Sequence, residues 1–487
     1  MSSRTPAGAA SLPSRLAAAS LAACVLLSLA SCGGEVPGEV SATAAEPGSA
    51  CPDCNVILIS IDTLRADRLG AYGHPRPTSP NLDALADDGI LFEQCINTGG
   101  GTLPVHASLF TAVPPETHGV WPSSGRTLDE AWGTLAERLR EQGYHTRGYT
   151  GGGFVRAAFG LAQGFDEFDD AGGDFEAIFP KLLDWLGSYQ GGKFFLFLHT
   201  YDVHSDVKRL PYDAPGGFND LFAGGGPGTF DGCRGGRCAS DYLAWADEQL
   251  KTKKLRPEEV FSPAEIAYVS DLYDGGIAYT DRMLGLLFAR LRQLGLYDET
   301  LLIVTSDHGE EFFEHGGLLH HTNYEEIARV PLIVRLPGGA HGGRRLPQLV
   351  STLEVMPTIL DAVGIAPPPG IEGRSLVPLF SGDSGDRAGR RLVHMIAGKL
   401  RTERWSLIVD PFRFVPVELY DVRRDPYEKD NVLAEHPEVA RELFEQHEAV
   451  RKREIQRRLP LPGSAAPPAP VLTDAEVRQL KALGYLR

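Results

Sequence analysis

Positive charge is what this chain is short of. Its 64 acidic side chains outnumber 47 basic ones, giving a formal net charge of −17. That balance argues against non-specific nucleic-acid binding and leaves room for a local basic pocket that takes an anionic substrate. An apolar run of membrane-spanning length is also missing: "LAAASLAACVLLSLA" (16–30) is too short for a comfortable span. Cysteine is sparse, with seven in 487 residues, and neither close pair has a second pair at zinc-finger spacing. No internal repeat is evident, which excludes a repeat architecture.

What is present is a globular composition, 43% hydrophobic and 23% charged, with length enough for two or three domains. Arg4 and Arg15 precede the apolar run, which ends in "LASC" (29–32), the pattern of a secretory signal. Leu-Ala-Ser-Cys resembles a bacterial lipobox, so Cys32 is expected to be the lipidated first residue after a signal peptide over 1–31. "LAAC" (21–24) fits less well because apolar residues follow it; a plain signal peptide is the alternative. Residues 32–53 read as a small-residue tether. The expected location is the bacterial cell envelope, periplasm or cell surface, with a membrane anchor through lipid. Export permits disulfides. Cys233 and Cys238 flank "RGGR" and are expected to pair; Cys51 and Cys54 are read as a structural pair rather than a redox motif, and Cys95 as a buried free thiol.

The run "NVILISI" (55–61) is mainly apolar and rich in β-branched residues, as in a strand buried on both faces. "SPNLDALADDG" (79–89) has a serine cap, a proline at the first helical position and a terminal glycine. Further strands are expected at 90–97, 193–201 and 299–307. A helix, a glycine stop and a strand fill 134–150, and 263–294 is helical. The alternation implies an α/β domain with a large, mainly parallel sheet sandwiched by helices, expected over 54–385. Its Gly-rich segment 217–240 reads as a surface excursion near a substrate entrance. "RLVHMIA", "RWSLIVD" and "PVELYDV" then suggest a small C-terminal antiparallel α+β subdomain over 386–458, with a linker and terminal helix over 459–487.

In such a sheet, ligands sit at the carboxyl ends of strands. Asp62 ends the first strand in "ISIDTLRAD". Asp307 ends a later one in "IVTSDHGEE", with His308 beside it. Either aspartate alone could be a turn former; two such ends, one carrying Asp-His, point to a divalent-cation site.

The chain resembles the sulfatase family of the alkaline phosphatase superfamily. The resemblance runs through "NVILISIDTLRADRLGAYGHPRPTSPNLDALADDGILF", "TLPVHASLFTAVPPETHGV", "FLHTYDVH", "VTSDHGEEFFEHG", "HHTNYEEIARVPLIV", "TLEVMPTILDAVGI", "IEGRSLVPLF", "ELYDVRRDP" and "LKALGYL". It implies an alkaline phosphatase-like fold and one divalent metal ion. Asp62 matches the first metal aspartate and Asp307 the later one; the second falls on Thr63, and His308 stands where many sulfatases carry asparagine. A nitrogen in place of oxygen favours zinc or manganese, with calcium as the alternative. The implied metal set is Asp62, Thr102, Asp307 and His308.

The nucleophile position departs most. The family pattern Cys/Ser-x-Pro-x-Arg, whose first residue becomes formylglycine, reads Thr102-Leu103-Pro104-Val105-His106 here. Threonine cannot become formylglycine. The supporting Lys-x-His pair is also absent from "YTGGGFVRAAFG" (149–160), where Arg156 is the one nearby cation. A metal-bound hydroxyl has a lowered pKa and can attack, and the helix inferred from Pro104 to Thr111 aims its positive end at the same spot. The competing role for Thr102 is to cap that helix.

His204, in "DVH", matches the family's substrate histidine, and His320 falls where a family lysine contacts substrate. His106, at the lost arginine, could bind an anion or shuttle a proton. His321 and His315 are further substrate-binding candidates. Any one histidine alone could be structural; several at these positions suit leaving-group protonation. Arg65 either binds anionic substrate or pairs with Asp67.

The expectation is a metal-dependent hydrolase of phosphate or sulfate esters, phosphoesters favoured. Its substrate would be a small-molecule, glycan-linked or lipid-linked anionic ester. The alternatives are a sulfuric ester hydrolase, a phospho-group transferase and a non-catalytic binding lipoprotein.

Overall fold

In the computed structural model, the first strand, β1 (Asn55–Ile61), is buried along its whole length. Alternate residues of a strand point to opposite faces. Accordingly Ile57, Ile59 and Ile61 enter one apolar core, while Val56 and Leu58 enter the other. A strand covered on both faces has no place for polar alternation, hence the unbroken apolar run. The structure describes residues 50–121, 126–205, 211–223, 233–234, 237–252, 254–382, 392–396, 398–458 and 469–482.

The other strands of the main sheet are β2 (Ile90–Ile96), β3 (His145–Tyr149), β4 (Glu167–Asp169), β5 (Phe194–Thr200), β6 (Thr300–Thr305), β7 (Arg329–Val330), β8 (Leu332–Arg335) and β9 (Arg344–Ser351). They form a nine-stranded sheet, ordered β7-β2-β8-β6-β1-β5-β3-β4, with β9 pairing β2. From β6 through β4 every pairing is parallel. The other side is mixed, because β8 runs antiparallel to both β6 and β2. The reason lies in the connection: a parallel return needs a crossover, usually helical, and between β6 and β8 the only helix among the described residues is Glu325–Ala328.

Helices cover both faces. On one face lie α4 (Phe175–Ser188) and the long α6 (Pro263–Gln293), with α1 (Pro80–Asp87) beside α6. On the other lie α2 (Thr102–Thr111), α3 (Leu135–Glu141) and α7 (Val355–Ala362). Between them, α5 (Ala239–Lys251) follows a hairpin in which Cys233 and Cys238 are directly paired in register; their side chains are outside the described residues. Cys51 and Cys54 form a disulfide, and Cys95 is a buried free cysteine. The signal region, Cys32, most of the tether and most of the 459–471 linker also lie outside the described residues, as does much of 217–240. No helix among the described residues is long and apolar enough to cross a membrane.

The C-terminal sheet is antiparallel and has four strands, β10 (Leu392–Met395), β11 (Lys399–Thr402), β12 (Trp405–Val409) and β13 (Pro416–Asp421), packed with α8 (Pro437–Arg457). The sequence had offered three. Lys399 and Arg401 make β11 read as solvent-facing, yet they are 0% and 3% exposed. Glu428 and Glu325 neutralise them, at 2.9 Å from Lys399 and 3.0 Å from Arg401 respectively. The final helix, α9 (Asp474–Ala482), returns to the main domain, where Gln479 donates to the Gly151 carbonyl at 2.8 Å.

Candidate active site

Parallel register builds the centre of the site. Ser60 of β1 is level with Thr305 of β6. Two residues further along each strand stand Asp62 and Asp307, so their carboxylates arrive side by side. With His308 they present ligand atoms that all lie within 4.8 Å of one another. His308 Nε2 is 3.5 Å from Asp307 Oδ2 and 3.9 Å from Asp62 Oδ1. These two carboxylate oxygens have no hydrogen-bond partner, although their residues are 0–1% exposed. A buried, unpaired carboxylate oxygen is costly, and two of them facing one imidazole is the donor chemistry a divalent cation satisfies. The residues present therefore fit the metal that the sequence resemblance implies.

The charges of the pair follow from their surroundings. Burial, and then Asp307, pushes the Asp62 carboxyl well above the usual range. Burial also acts to raise Asp307, but His308, His106 and His199 hold it down at about 2. Its Oδ1 accepts from the amides of His308 at 2.8 Å and Thr63 at 3.2 Å.

Thr63 explains part of that geometry. It is β-branched and yet has φ +57°, a conformation such residues rarely hold. Its hydroxyl donates to the Asp62 carbonyl at 2.7 Å, and the Tyr273 hydroxyl donates to the Thr63 carbonyl at 2.6 Å. The turn aims the Thr63 amide at Asp307. At the position of the family's second aspartate stands a hydroxyl turned to the backbone.

Thr102 joins the cluster from the side. Its Oγ1 donates to Asp62 Oδ2 at 3.3 Å and lies 3.4 Å from His308 Nε2. It is the first helical residue of α2, two residues ahead of the expected start; the cap position belongs to Gly101, at φ +86°. The hydroxyl thus does not serve as the cap. Gly99 and Gly100 also have positive φ, +74° and +90°, and a Cβ on Gly100 would meet Pro104 Cγ at 2.9 Å and Ile396 Cγ2 at 3.0 Å. In the first turn Pro104 has no N–H and Val105 donates to the Gly101 carbonyl at 3.2 Å, so the amides ahead of the first intrahelical bond are those of Thr102 and Leu103. A cavity of about 290 Å³ lies at this end of the helix, with walls that include Gly99–Gly101, Thr102, His308, His320 and His321.

The remaining sequence candidates separate. His320 lines the cavity, 4.5 Å from the His308 ring and 5.1 Å from that of His204 (centroid to centroid). Burial, then His308, lowers the His204 pKa to about 4, and the same two causes hold His320 well below 6.5. Both shifts favour the uncharged ring. His204 Nδ1 lies 2.5 Å from the Ser205 carbonyl, a contact only N–H can make, which leaves Nε2 as the acceptor. His321 is partly exposed and pairs with Asp247 at 3.3 Å.

Three candidates do not face the cavity. His106 is enclosed, with Nε2 3.0 Å from Ser60 Oγ and Nδ1 2.8 Å from the Thr102 carbonyl. Both nitrogens are engaged, so it positions the first turn of α2 rather than touching an anion. Arg65 takes the pairing alternative, donating twice to Asp67 at 2.8 Å and to Glu314 at 2.6 Å. His315 stacks on Tyr324 at 3.5 Å and lies 3.4 Å from Glu326. Arg156 lies 3.4 Å from Glu476 of α9.

The sequence reading passed over two residues here. His199, ending the apolar run "FFLFLHT", sets Nε2 3.3 Å from Asp62 Oδ2. Glu310 is fully buried behind His320, 3.3 Å from its Nδ1. A polar side chain closing a buried strand was the available signal for the first; nothing singled out the second within "DHGEE".

A family model described as Sulfatase matches residues 54–365. The chain belongs to the sulfatase family. A second model, for the C-terminal domain of N-sulphoglucosamine sulphohydrolase, matches residues 313–453. Among sulfatase relatives, the N-acetylglucosamine-6-O-sulfatase of Bacteroides thetaiotaomicron is 23% identical, across 82% of this chain and 86% of its own. Arylsulfatase K of Rattus norvegicus is 33% identical over 205 residues, which is 39% of this chain; the match spans 36% of that relative's length. The phosphonate monoester hydrolase of Agrobacterium radiobacter shares the fold, with a TM-score of 0.65 at 22% identity, over 82% of this chain and 96% of its own. So does a protein solved with its substrate D-glucosamine-2-N,6-O-disulfate, with a TM-score of 0.64 at 21% identity, over 83% and 98%.

Proposed function

We propose that this sulfatase-family chain is a hydrolase of phosphate monoesters or diesters with Thr102 as its nucleophile. The observation that carries the reading is the place of the Thr102 hydroxyl, 3.3 Å from Asp62 and 3.4 Å from His308, on a helix that Gly101 already caps. Asp62, Asp307, His308 and Thr102 would hold a divalent cation, zinc or manganese before calcium, which when bound acidifies a hydroxyl and draws charge from a phosphoryl group.

The ester would enter against Gly100 and Gly101, with a non-bridging oxygen toward the N-terminal end of α2. Thr102 Oγ attacks phosphorus as the bond to the ester oxygen breaks. His320 on the cavity wall, backed by the His204 ring, takes up the proton that Thr102 loses and returns it to the departing oxygen. Water then attacks the phosphothreonine, releasing phosphate and restoring the hydroxyl. Phosphorus is favoured because a threonine in place of cysteine or serine cannot give formylglycine. Residues 1–32 extend the proposal to an exported enzyme lipidated at Cys32.

The test offers aryl phosphate, bis-aryl phosphate and aryl sulfate to the purified chain with zinc, manganese or calcium. Turnover of a phosphate ester is expected, with a fall of about a thousandfold or more in Thr102→Ala. Turnover of sulfate alone overturns the phosphoester preference, and full activity in Thr102→Ala overturns the nucleophile.

A further inference from the structure

A second group of buried metal-ligating side chains lies away from the cavity. Glu116, His394 and Glu454 present ligand atoms within 4.8 Å of one another. They come from three elements: the short helix Pro115–His118, strand β10 and helix α8. His394 Nδ1 is 3.0 Å from Glu454 Oε2 and 3.8 Å from Glu116 Oε1. His447 stands one heptad before Glu454 on the same face of α8, and its ring centroid is 4.7 Å from that of His394.

The four residues are between 2% and 8% exposed. Glu116 Oε2, Glu454 Oε2, both nitrogens of His394 and Nδ1 of His447 nevertheless have no aligned hydrogen-bond partner. Such atoms are rare inside proteins, and several together mean that something satisfies them jointly. Charge points the same way. Among the described residues, the ion pairs of Glu116 and Glu454 run to His394 alone. A proton on His394 would balance one carboxylate, and the other must then be neutralised by a second proton or by a cation. A divalent cation balances both and uses the orphaned atoms as ligands.

We propose that Glu116, His394 and Glu454 form a structural zinc-type site, with the His447 ring beside it. It would staple the C-terminal subdomain to the catalytic one. Two carboxylates and an imidazole from three separate elements suit a structural site. The staple has a short route to the nucleophile helix, because His118, two residues from Glu116, sets Nε2 3.1 Å from Ser108 Oγ of α2. Thr117 also donates to the Glu454 carbonyl at 3.1 Å.

This inference is independent of the proposed reaction. Its test uses the full chain carrying Asp307→Ala, which removes a ligand from the catalytic cluster. After loading with zinc and gel filtration, metal is counted by mass spectrometry, and cobalt substitution is read by its visible absorption. One zinc per chain and a tetrahedral cobalt spectrum are expected in Asp307→Ala. Both should disappear when His394→Ala or the near-isosteric Glu454→Gln is added. A folded Asp307→Ala chain that holds no metal overturns the proposal, as does metal retained by a folded Asp307→Ala/Glu454→Gln chain. Failure of phosphate-ester turnover in the unmodified chain would bear on the catalytic reading alone.

Discussion

The two ligand clusters use similar chemistry in opposite settings. Asp62, Asp307 and His308 sit at the ends of neighbouring parallel strands and open onto a cavity beside Thr102. Glu116, His394 and Glu454 are gathered from separate elements and sealed between subdomains. Both are buried; the difference is that His308, with Thr102, lines a cavity. A cluster that a substrate can reach, with a hydroxyl at its rim, can do chemistry; a closed one can only hold elements together.

The sharpest way to break the comparison is to remove one ligand from each. Asp307→Ala is expected to cut kcat/KM by about a thousandfold or more, since it removes a carboxylate from the proposed cation set. Glu454→Gln should leave kcat within about twofold while lowering the melting temperature, the loss expected when a buried charged group loses its partners. Steady-state kinetics and calorimetry on both variants decide the matter. Equal losses of activity would mean that the clusters are not functionally distinct.

A smaller effect separates site from scaffold. Leu58 of β1 is fully buried beneath the helices on the α2 side. Leu58→Ala is expected to cost about 2–5 kcal/mol of stability, measured by denaturant unfolding, through lost burial and a cavity. Activity per folded molecule should stay near the parent value at low temperature. His199→Gln tests the opposite case. His199 touches Asp62 but does not line the cavity, so its loss should weaken cation binding about 10–100-fold, as for other residues that orient a ligand, and leave the melting temperature of the metal-free chain little changed.

Much of this was legible in the sequence because it followed from local pattern. The unbroken apolar run of β1 announced burial on both faces, and strand-end aspartates announced the ligand edge. The antiparallel β8 was not legible: periodicity reports burial, and strand direction depends on the connection. Strand β11 was hidden because Lys399 and Arg401 acquire their carboxylate partners only through tertiary contacts. The same limit applies to His106 and Arg65. Each occupies a position that invites a substrate role, and each is committed to protein partners that lie 46 and 249 positions away in the chain, Ser60 and Glu314. Glu116, His394 and Glu454 are scattered over the whole length, so no spacing rule could have joined them.

Acid provides a further comparison, through His118 between the two clusters. Its Nδ1 accepts from the Val120 amide at 3.1 Å, so the folded state needs the neutral ring. Burial lowers its pKa from 6.5 to about 3. A depressed imidazole means that the unfolded chain binds the proton first. Stability is therefore undiminished above pH 6.5 and falls as the pH drops from there toward 3. Urea midpoints measured across that range should decline, and His118→Gln should flatten the decline.

The smallest expected effect belongs to the cavity rim. His321 is held by Asp247 at 3.3 Å, and its side chain is 42% exposed. A group so open to water can help attract and orient an anion, but salt and solvent screen it. His321→Ala is therefore expected to raise KM a few-fold and leave kcat unchanged, because its contribution is shared between the bound ester and the transition state. His320→Ala should do the reverse, lowering kcat more than it raises KM, since that ring is buried against His308 and His204. If both variants changed KM alone, His320 would be a binding residue and the proton transfer would fall to His204.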